Sequence, residues 1–386
     1  MSLPTLDLGR RNEGLLRSGH PWIYRNRLPD HSPLEAGWVR LEAGRRYAIG
    51  IYEPAGEVAV RLFSRDRVPD RAWITARLSA ALDLRRHLEA AGSDSYRILS
   101  GEGDGVPGLV ADRYGRFAVI RYYGDGVARL APDIAWALGR TLPLQGVVAR
   151  EAGGLRLLWG AEPPPELTVR ENGLPFLANL AKGQKTGLYL DQRENRLTLS
   201  RWAAGRRVLN LFSYTGAFAI YALKGGARHA ISVDSAAGAI HDAHRNAAAN
   251  GFDLDRHRGI TADAYDYLKA QVERGETFDL VILDPPSLAR RKTQRYKALK
   301  AYRRLNALAM RCVAQGGMLA TSSCTAQVSP TDFRAALAEA ARSAGATAQL
   351  LHEAGHACDH PVPLHFPEGR YLKFVLARVL HSRAAG

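Results

Sequence analysis

Cysteine is scarce in this chain: 386 residues hold three, Cys312, Cys324 and Cys358. An odd number, with no Cys-x-x-Cys or Cys/His spacing, excludes a disulfide framework and offers no zinc site. Long apolar runs are missing too, since none reaches the ~18 residues a membrane span requires. The opening "MSLPTLDLGRRNEGLL" lacks the apolar core of an export signal. A reduced, cytoplasmic protein without metal or membrane partner is therefore expected. Acid is the third shortage, because 38 Asp and Glu face 53 Lys and Arg and leave a formal charge of +15. Such an excess points to a polyanionic partner, whose condensed counterions are released as each phosphate is neutralised. The shortage is also local: no carboxylate occurs between Asp284 and Asp332.

What is present suffices for several folded cores, with 46% apolar and 24% charged residues. Short β-leaning pieces, "GWVRLEAGRRYAIGIYEP" and "EVAVRLFS", fill the first seventy or so residues and predict a small β-barrel. "DRAWITARLSAALDLRRHLEAAG" predicts an amphipathic helix stopped by Gly92, and the extended segments after it predict an α+β module. From about residue 205, short apolar runs alternate with alanine-rich helical stretches, the pattern of a doubly wound parallel sheet. Three domains are expected, at 1–70, 71–178 and 179–386.

"RRVLNLFSYTGAFAIYALKGG" reads as strand, tight turn and helix, a place where backbone N–H groups face an anionic or polar ligand. The next strand, "ARHAISVDS", ends in Asp234, at about the ~20-residue spacing where a carboxylate takes a ribose hydroxyl. The turn is not the G-x-G-x-x-G of nicotinamide or flavin folds. Asp263 and Ala264 follow a third strand, suited to an adenine amino group and ring edge, and "FDLVILDPPSL" ends a fourth at Asp284. Singly, each aspartate reads as readily as a helix cap. Their order points to a class I methyltransferase using S-adenosylmethionine.

Beyond Asp284, "SLARRKTQRYKALKAYRRLN" alternates basic residues with Tyr296 and Tyr302. Arg290, Arg291, Lys292, Arg295 and Lys297 suit RNA phosphates, and the tyrosines suit stacking on an unpaired base. Cys324 ends a fifth strand, "GGMLATSSCTA", beside the end of the fourth. Carbon 5 of a pyrimidine is a poor nucleophile until a thiolate adds at carbon 6, so a cysteine here suits covalent catalysis. A buried thiol with no chemistry fits the same residue. For Cys312 and Cys358 packing is the preferred reading.

The whole chain resembles the bacterial 23S ribosomal RNA large-subunit methyltransferase I family, cytosine-5 enzymes that use S-adenosylmethionine. The resemblance is carried in order by "GHPWIYRNRL", "GEGDGVPGLVADRYG", "GQKTGLYLDQRENR", "LNLFSYTGAFA", "VDSAAGAI", "LDPPSLARRK", "SSCTAQV" and "DHPVPLHFPEGRYLKF". It implies a class I Rossmann-like methyltransferase sheet, preceded by a PUA-like RNA-binding barrel and a β-β-α-β-β domain. It further implies Cys324 as nucleophile, Asp284 as the acid at the cytosine edge, and 23S ribosomal RNA as substrate. Cofactor contacts are implied at Gln184, Thr186, Phe212, Ser213, Tyr214, Asp234, Asp263 and Asp284. Ser287 after Asp-Pro-Pro and Thr325 after the cysteine depart from the usual residues of the family. A homodimer is compatible with base rates alone. Two alternatives stay open: methylation of another atom or nucleotide on the same fold, and a non-catalytic RNA-binding assembly factor.

Overall fold

The computed structural model describes residues 3–28, 34–181, 183, 186–289 and 291–382. Contacts divide it into two compact units. One comprises Met1–Gly173, Ala178–Leu190 and Cys358–Gly369, the other Leu174–Leu177, Asp191–Ala357 and Arg370–Gly386.

The first unit holds two five-stranded sheets. In the N-terminal one, Gly37–Ala43, Arg46–Tyr52 and Val58–Ser64 form an antiparallel meander, flanked by Trp22–Tyr24 on one edge and Thr5–Asp7 on the other. Its period-2 pattern is plain in Gly37–Ala43, where Val39, Leu41 and Ala43 are buried and the residues between them are partly exposed. Gly50 is required there, because a Cβ would lie 2.7 Å from the Arg61 carbonyl of the next strand. The second sheet, from Ser95–Ser100 to Gly154–Gly160, packs its apolar face against helices Arg71–Ala90 and Ala131–Thr141. Asp70 caps the longer helix by accepting from the Trp73 amide at 2.8 Å, and Gly92 follows its end at φ 77°.

Arg85, on the inner face of that helix, is a buried cation 1% exposed. Its guanidinium grips Asp104 through both terminal nitrogens, at 3.1 and 2.7 Å, and also donates to the carbonyls of Ala81, Arg97 and Asp359. One side chain therefore joins helix, sheet, the 101–104 turn and the segment 358–369. A second buried network lies nearby, where Asp112 accepts from Arg97 and from the Thr186 hydroxyl, which also bonds the Tyr114 hydroxyl at 2.8 Å.

The second unit is a seven-stranded sheet preceded by helix α1 (Arg193–Ser200). In chain order it runs β1 (Arg207–Leu211), α2 (Ala217–Lys224), β2 (His229–Asp234), α3 (Ala237–Ala249), β3 (His257–Thr261), α4 (Ala264–Glu273) and β4 (Phe278–Leu283). Then come α5 (Arg295–Arg311), β5 (Val313–Ser323), α6 (Pro330–Ser343), β6 (Ala346–Ala354) and β7 (Lys373–His381). The spatial order is β3-β2-β1-β4-β5-β7-β6. Strands β1 to β5 are parallel, and the central β1 and β4 are buried on both faces, which is why β4 reads as an almost unbroken apolar run. β7 enters antiparallel between β5 and β6. Strand order reverses between β1 and β4, so the carboxyl ends of these strands and their neighbours form the ligand-binding crevice of an open α/β sheet.

Candidate active site

At the end of β1 the chain makes a strained turn. Phe212 and Tyr214 adopt φ of 55° and 46°, and Gly216 one of 79°. A left-handed conformation costs a non-glycine residue about 1–2 kcal/mol, so the surroundings must enforce it. Asp234, at the end of β2, supplies much of that restraint: its carboxylate accepts from the Tyr214 amide at 2.9 Å and the Ala236 amide at 3.0 Å. The Ser213 amide donates to the Val233 carbonyl, and Asn246 on α3 donates to the Thr215 carbonyl. Gly216 admits α3, because a Cβ there would stand 2.9 Å from that of Ala243.

Asp234 was expected to meet a ribose and is found shaping the turn; its carboxylate has capacity for both, with about four acceptor sites. Asp263 caps α4, one oxygen accepting from the Tyr265 and Asp266 amides at 2.8 and 3.1 Å. Ala264 is 3% exposed and belongs to the sheet core with Leu268, so its methyl is not presented to an adenine edge. Thr186 is buried in the Asp112–Tyr114 network of the first unit, its hydroxyl bonded within it. Gln184 lies outside the described residues. The turn, Asp234 and Asp263 suit a nucleoside cofactor: a row of carboxylates and backbone, half-buried at Asp234 and exposed at Asp263, at the ends of β1, β2 and β3. Removing the Asp234 carboxylate (Asp234→Ala) should free the turn and weaken S-adenosylmethionine binding about ten- to a hundredfold, ~1.4–2.8 kcal/mol. Calorimetric titration reads this directly, and unchanged affinity would refute the restraint.

The reaction end is built by β4 and β5, which run in register from Leu280↔Met318 to Leu283↔Thr321. That register sets Asp284 level with Ser322, two residues before Cys324, and the Cys324 thiol lies 3.9 Å from the Pro285 carbonyl. Gln192, just before α1, donates to Asp284 Oδ1 and to the Ser322 hydroxyl, each at 3.1 Å. Asn195 orients it, donating to Gln192 Oε1 at 2.6 Å and to the Gly355 carbonyl at 3.0 Å. Sequence reasoning passed over Gln192, although it stands inside "GQKTGLYLDQRENR". Thr325 is wholly buried: its hydroxyl accepts from the Leu288 amide and bonds the Tyr302 hydroxyl at 2.8 Å.

That last contact corrects one expectation. Tyr302 is 0% exposed, so it stacks on no base. Burial pushes its hydroxyl up to about 12, which keeps it a neutral hydrogen-bonding strut. Tyr296, one turn and a half earlier on α5, is 72% exposed and remains suited to stacking. Arg291, Lys292, Arg295 and Lys297 are exposed beside it, while Arg290 lies outside the described residues. Arg295 is paired with Asp332 at 2.7 Å, and this bond, with the Ser329 cap, lowers the Asp332 carboxyl to about 2. Cys312 is fully buried, its thiol pushed up to about 12 by desolvation, and Cys358 is exposed with its sulfur 3.2 Å from His87 Nε2. Among the described residues no cluster suited to a metal is found, and no helix is long and apolar enough to cross a membrane.

A parallel sheet with one antiparallel insertion, a restrained turn after β1 and carboxylates at successive strand ends define a class I S-adenosylmethionine-dependent methyltransferase. Residues 122–359 match the family model described as S-adenosylmethionine-dependent methyltransferase, and residues 6–65 match a PUA-like domain. The chain belongs to the ribosomal RNA large subunit methyltransferase I family. It is 35% identical to a protein of that name from Klebsiella pneumoniae, over 98% of both chains, and 37% identical to one from Erwinia tasmaniensis, over 96% of this chain and 98% of the other. Among solved structures it is similar to a putative methyltransferase complexed with SAH (TM-score 0.88, 26% identity, covering 97% of this chain and 100% of that one). A putative S-adenosylmethionine-dependent methyltransferase from Streptococcus mutans is similar at TM-score 0.86 and 25% identity, with the same coverage.

Proposed function

We propose that the chain methylates carbon 5 of a cytosine in 23S ribosomal RNA through a covalent bond between Cys324 and carbon 6. The observation that carries this reading is the placement of the Cys324 thiol against the Pro285 carbonyl, next to Asp284, at the carboxyl ends of β4 and β5. The sulfonium cofactor supplies an electrophilic methyl. Addition of the Cys324 thiolate at carbon 6 turns carbon 5 into a nucleophile, and loss of the carbon 5 proton later expels the thiolate. Asp284, held by Gln192, steadies the cytosine edge.

A base inside folded RNA must leave its stack to reach such a site. Arg291, Lys292, Tyr296 and Lys297, with Arg290 and Arg295, would grip the RNA around the extruded nucleotide, while the PUA-like sheet contributes backbone contacts. In this division of labour 1–70 and 71–178 bind RNA and 179–386 carries cofactor and nucleophile. Work on a ribosomal substrate places the protein in the cytoplasm. The test is transfer from labelled S-adenosylmethionine to ribosomal RNA lacking its own modification, followed by nucleoside analysis. The expected product is 5-methylcytosine; label in any other nucleoside would sink the carbon 5 assignment.

A further inference from the structure

The first residue of β7, Lys373, pairs in the sheet with Ser323, the residue before Cys324. Lys373 is 3% exposed. Its ammonium donates to the Thr325 carbonyl at 2.7 Å and the Tyr371 carbonyl at 2.8 Å. An ammonium has three donors, and two of them are thereby fixed, one on the residue that follows Cys324 and one on Tyr371. Both acceptors are neutral, and among the described residues no carboxylate forms an ion pair with Lys373. A buried cation without a counter-ion is costly, so its retention needs a reason.

We infer that Lys373 is the positioning residue that holds Cys324 in its thiolate form, the buried ammonium serving as counter-ion to the sulfur. The inference rests on the covalent reading of Cys324 and adds the source of its nucleophilicity. Desolvation pulls Lys373 down to about 8, and Cys324 is the charge that opposes the fall. A free thiol titrates at ~8.5, and a fixed ammonium nearby favours its ionised form. The thiol proton passes to solvent, leaving a thiolate facing the ammonium, and no other bond changes.

The other titratable neighbours do not supply that charge. Asp284 precedes the Pro285 contact and is acidic, Tyr302 stays protonated, and Tyr371 donates its hydroxyl to Asp191 at 2.7 Å. His356 packs against the Tyr371 ring and bonds the Leu372 amide. Lysine suits the task better than arginine, being a compact charge whose proton affinity shifts on burial.

The experiment is the pH dependence of iodoacetamide alkylation at Cys324, followed by peptide mass in full-length protein carrying Cys358→Ser to remove the exposed thiol. With Lys373 in place, the midpoint should fall clearly below the ~8.5 of a free thiol. In Lys373→Met it should rise by at least about one pH unit, so that alkylation at neutral pH slows about tenfold, while Lys373→Arg keeps the low midpoint. A midpoint at or above that of a free thiol with Lys373 present overturns the inference, even if Lys373→Met fails to fold. So does an unmoved midpoint in a folded Lys373→Met protein. Methyl transfer that survives Cys324→Ala would instead remove the covalent reading, while the alkylation profile still decides the Lys373–Cys324 coupling.

Discussion

Cys324→Ala should abolish methyl transfer to RNA, lowering the single-turnover rate by at least about a thousandfold, while S-adenosylmethionine still binds. The loss is large because no second group can replace the thiolate: the nearby hydroxyls of Ser322 and Thr325 are already bonded to Gln192 and to Tyr302, and a hydroxyl ionises far less readily. The fold should survive, since the contact of Sγ to the Pro285 carbonyl is long, and the turn after β1 is restrained from β2 and α3. Cys324→Ser should be nearly as inactive as the alanine variant. Labelled-methyl transfer measures the rate, and RNA carrying 5-fluorocytosine should become covalently attached to unaltered protein but not to the variant. Retention of more than about a tenth of the activity would mean that the thiol only packs.

Arg85→Met should destabilise the first unit by about 3–5 kcal/mol, the usual cost of removing one partner of a buried ion pair. Methionine keeps most of the volume but leaves Asp104, whose other bond is to the Ser100 amide, as a buried charge without a cation. Three carbonyls lose their donor as well. Five of the six tryptophans lie in the first unit and only Trp202 in the second, so tryptophan fluorescence in urea reports largely on the unit concerned. The midpoint should move to lower urea. A change under 1 kcal/mol would show that the network contributes little.

The sheet of the second unit was legible because its central strands are apolar on both faces and its helices are rich in alanine, a local pattern that needs no knowledge of partners. The positions of Asp284 and Cys324 just past two strand ends were legible for the same reason, each standing where an apolar run stops. Tyr302 was misjudged although a signal existed: Ala298, Tyr302, Leu305 and Ala309 recur at helical spacing, and all are buried. The density of charge around that stripe concealed it. The burial of the Ala264 methyl was equally hidden, since the first residue of a helix can face the core as easily as the crevice. Gln192 and Lys373 could not be read, because the contacts of Gln192 with Asp284 and Ser322, and of Lys373 with Thr325, span long stretches of chain and nothing local marks a buried glutamine or lysine. Arg85 sits in "LRRHL", where two arginines look alike and only one faces inward. The antiparallel entry of β7 is also hidden, as strand order depends on long-range pairing rather than on composition.

The position of β7 has a bearing on the order in which the protein can be made. β5 and β6 leave the ribosome well before residues 373–381, yet they cannot become neighbours through anything but that later strand. Until it is translated, a nascent chain exposes the unpaired flank of β5, with Cys324 at its end and no lysine beside it. On the covalent reading proposed above, competence for the reaction would therefore arrive abruptly, with the last strand inserted, and a chain stalled or clipped before Lys373 would have the turn after β1 complete but Cys324 without its counter-ion.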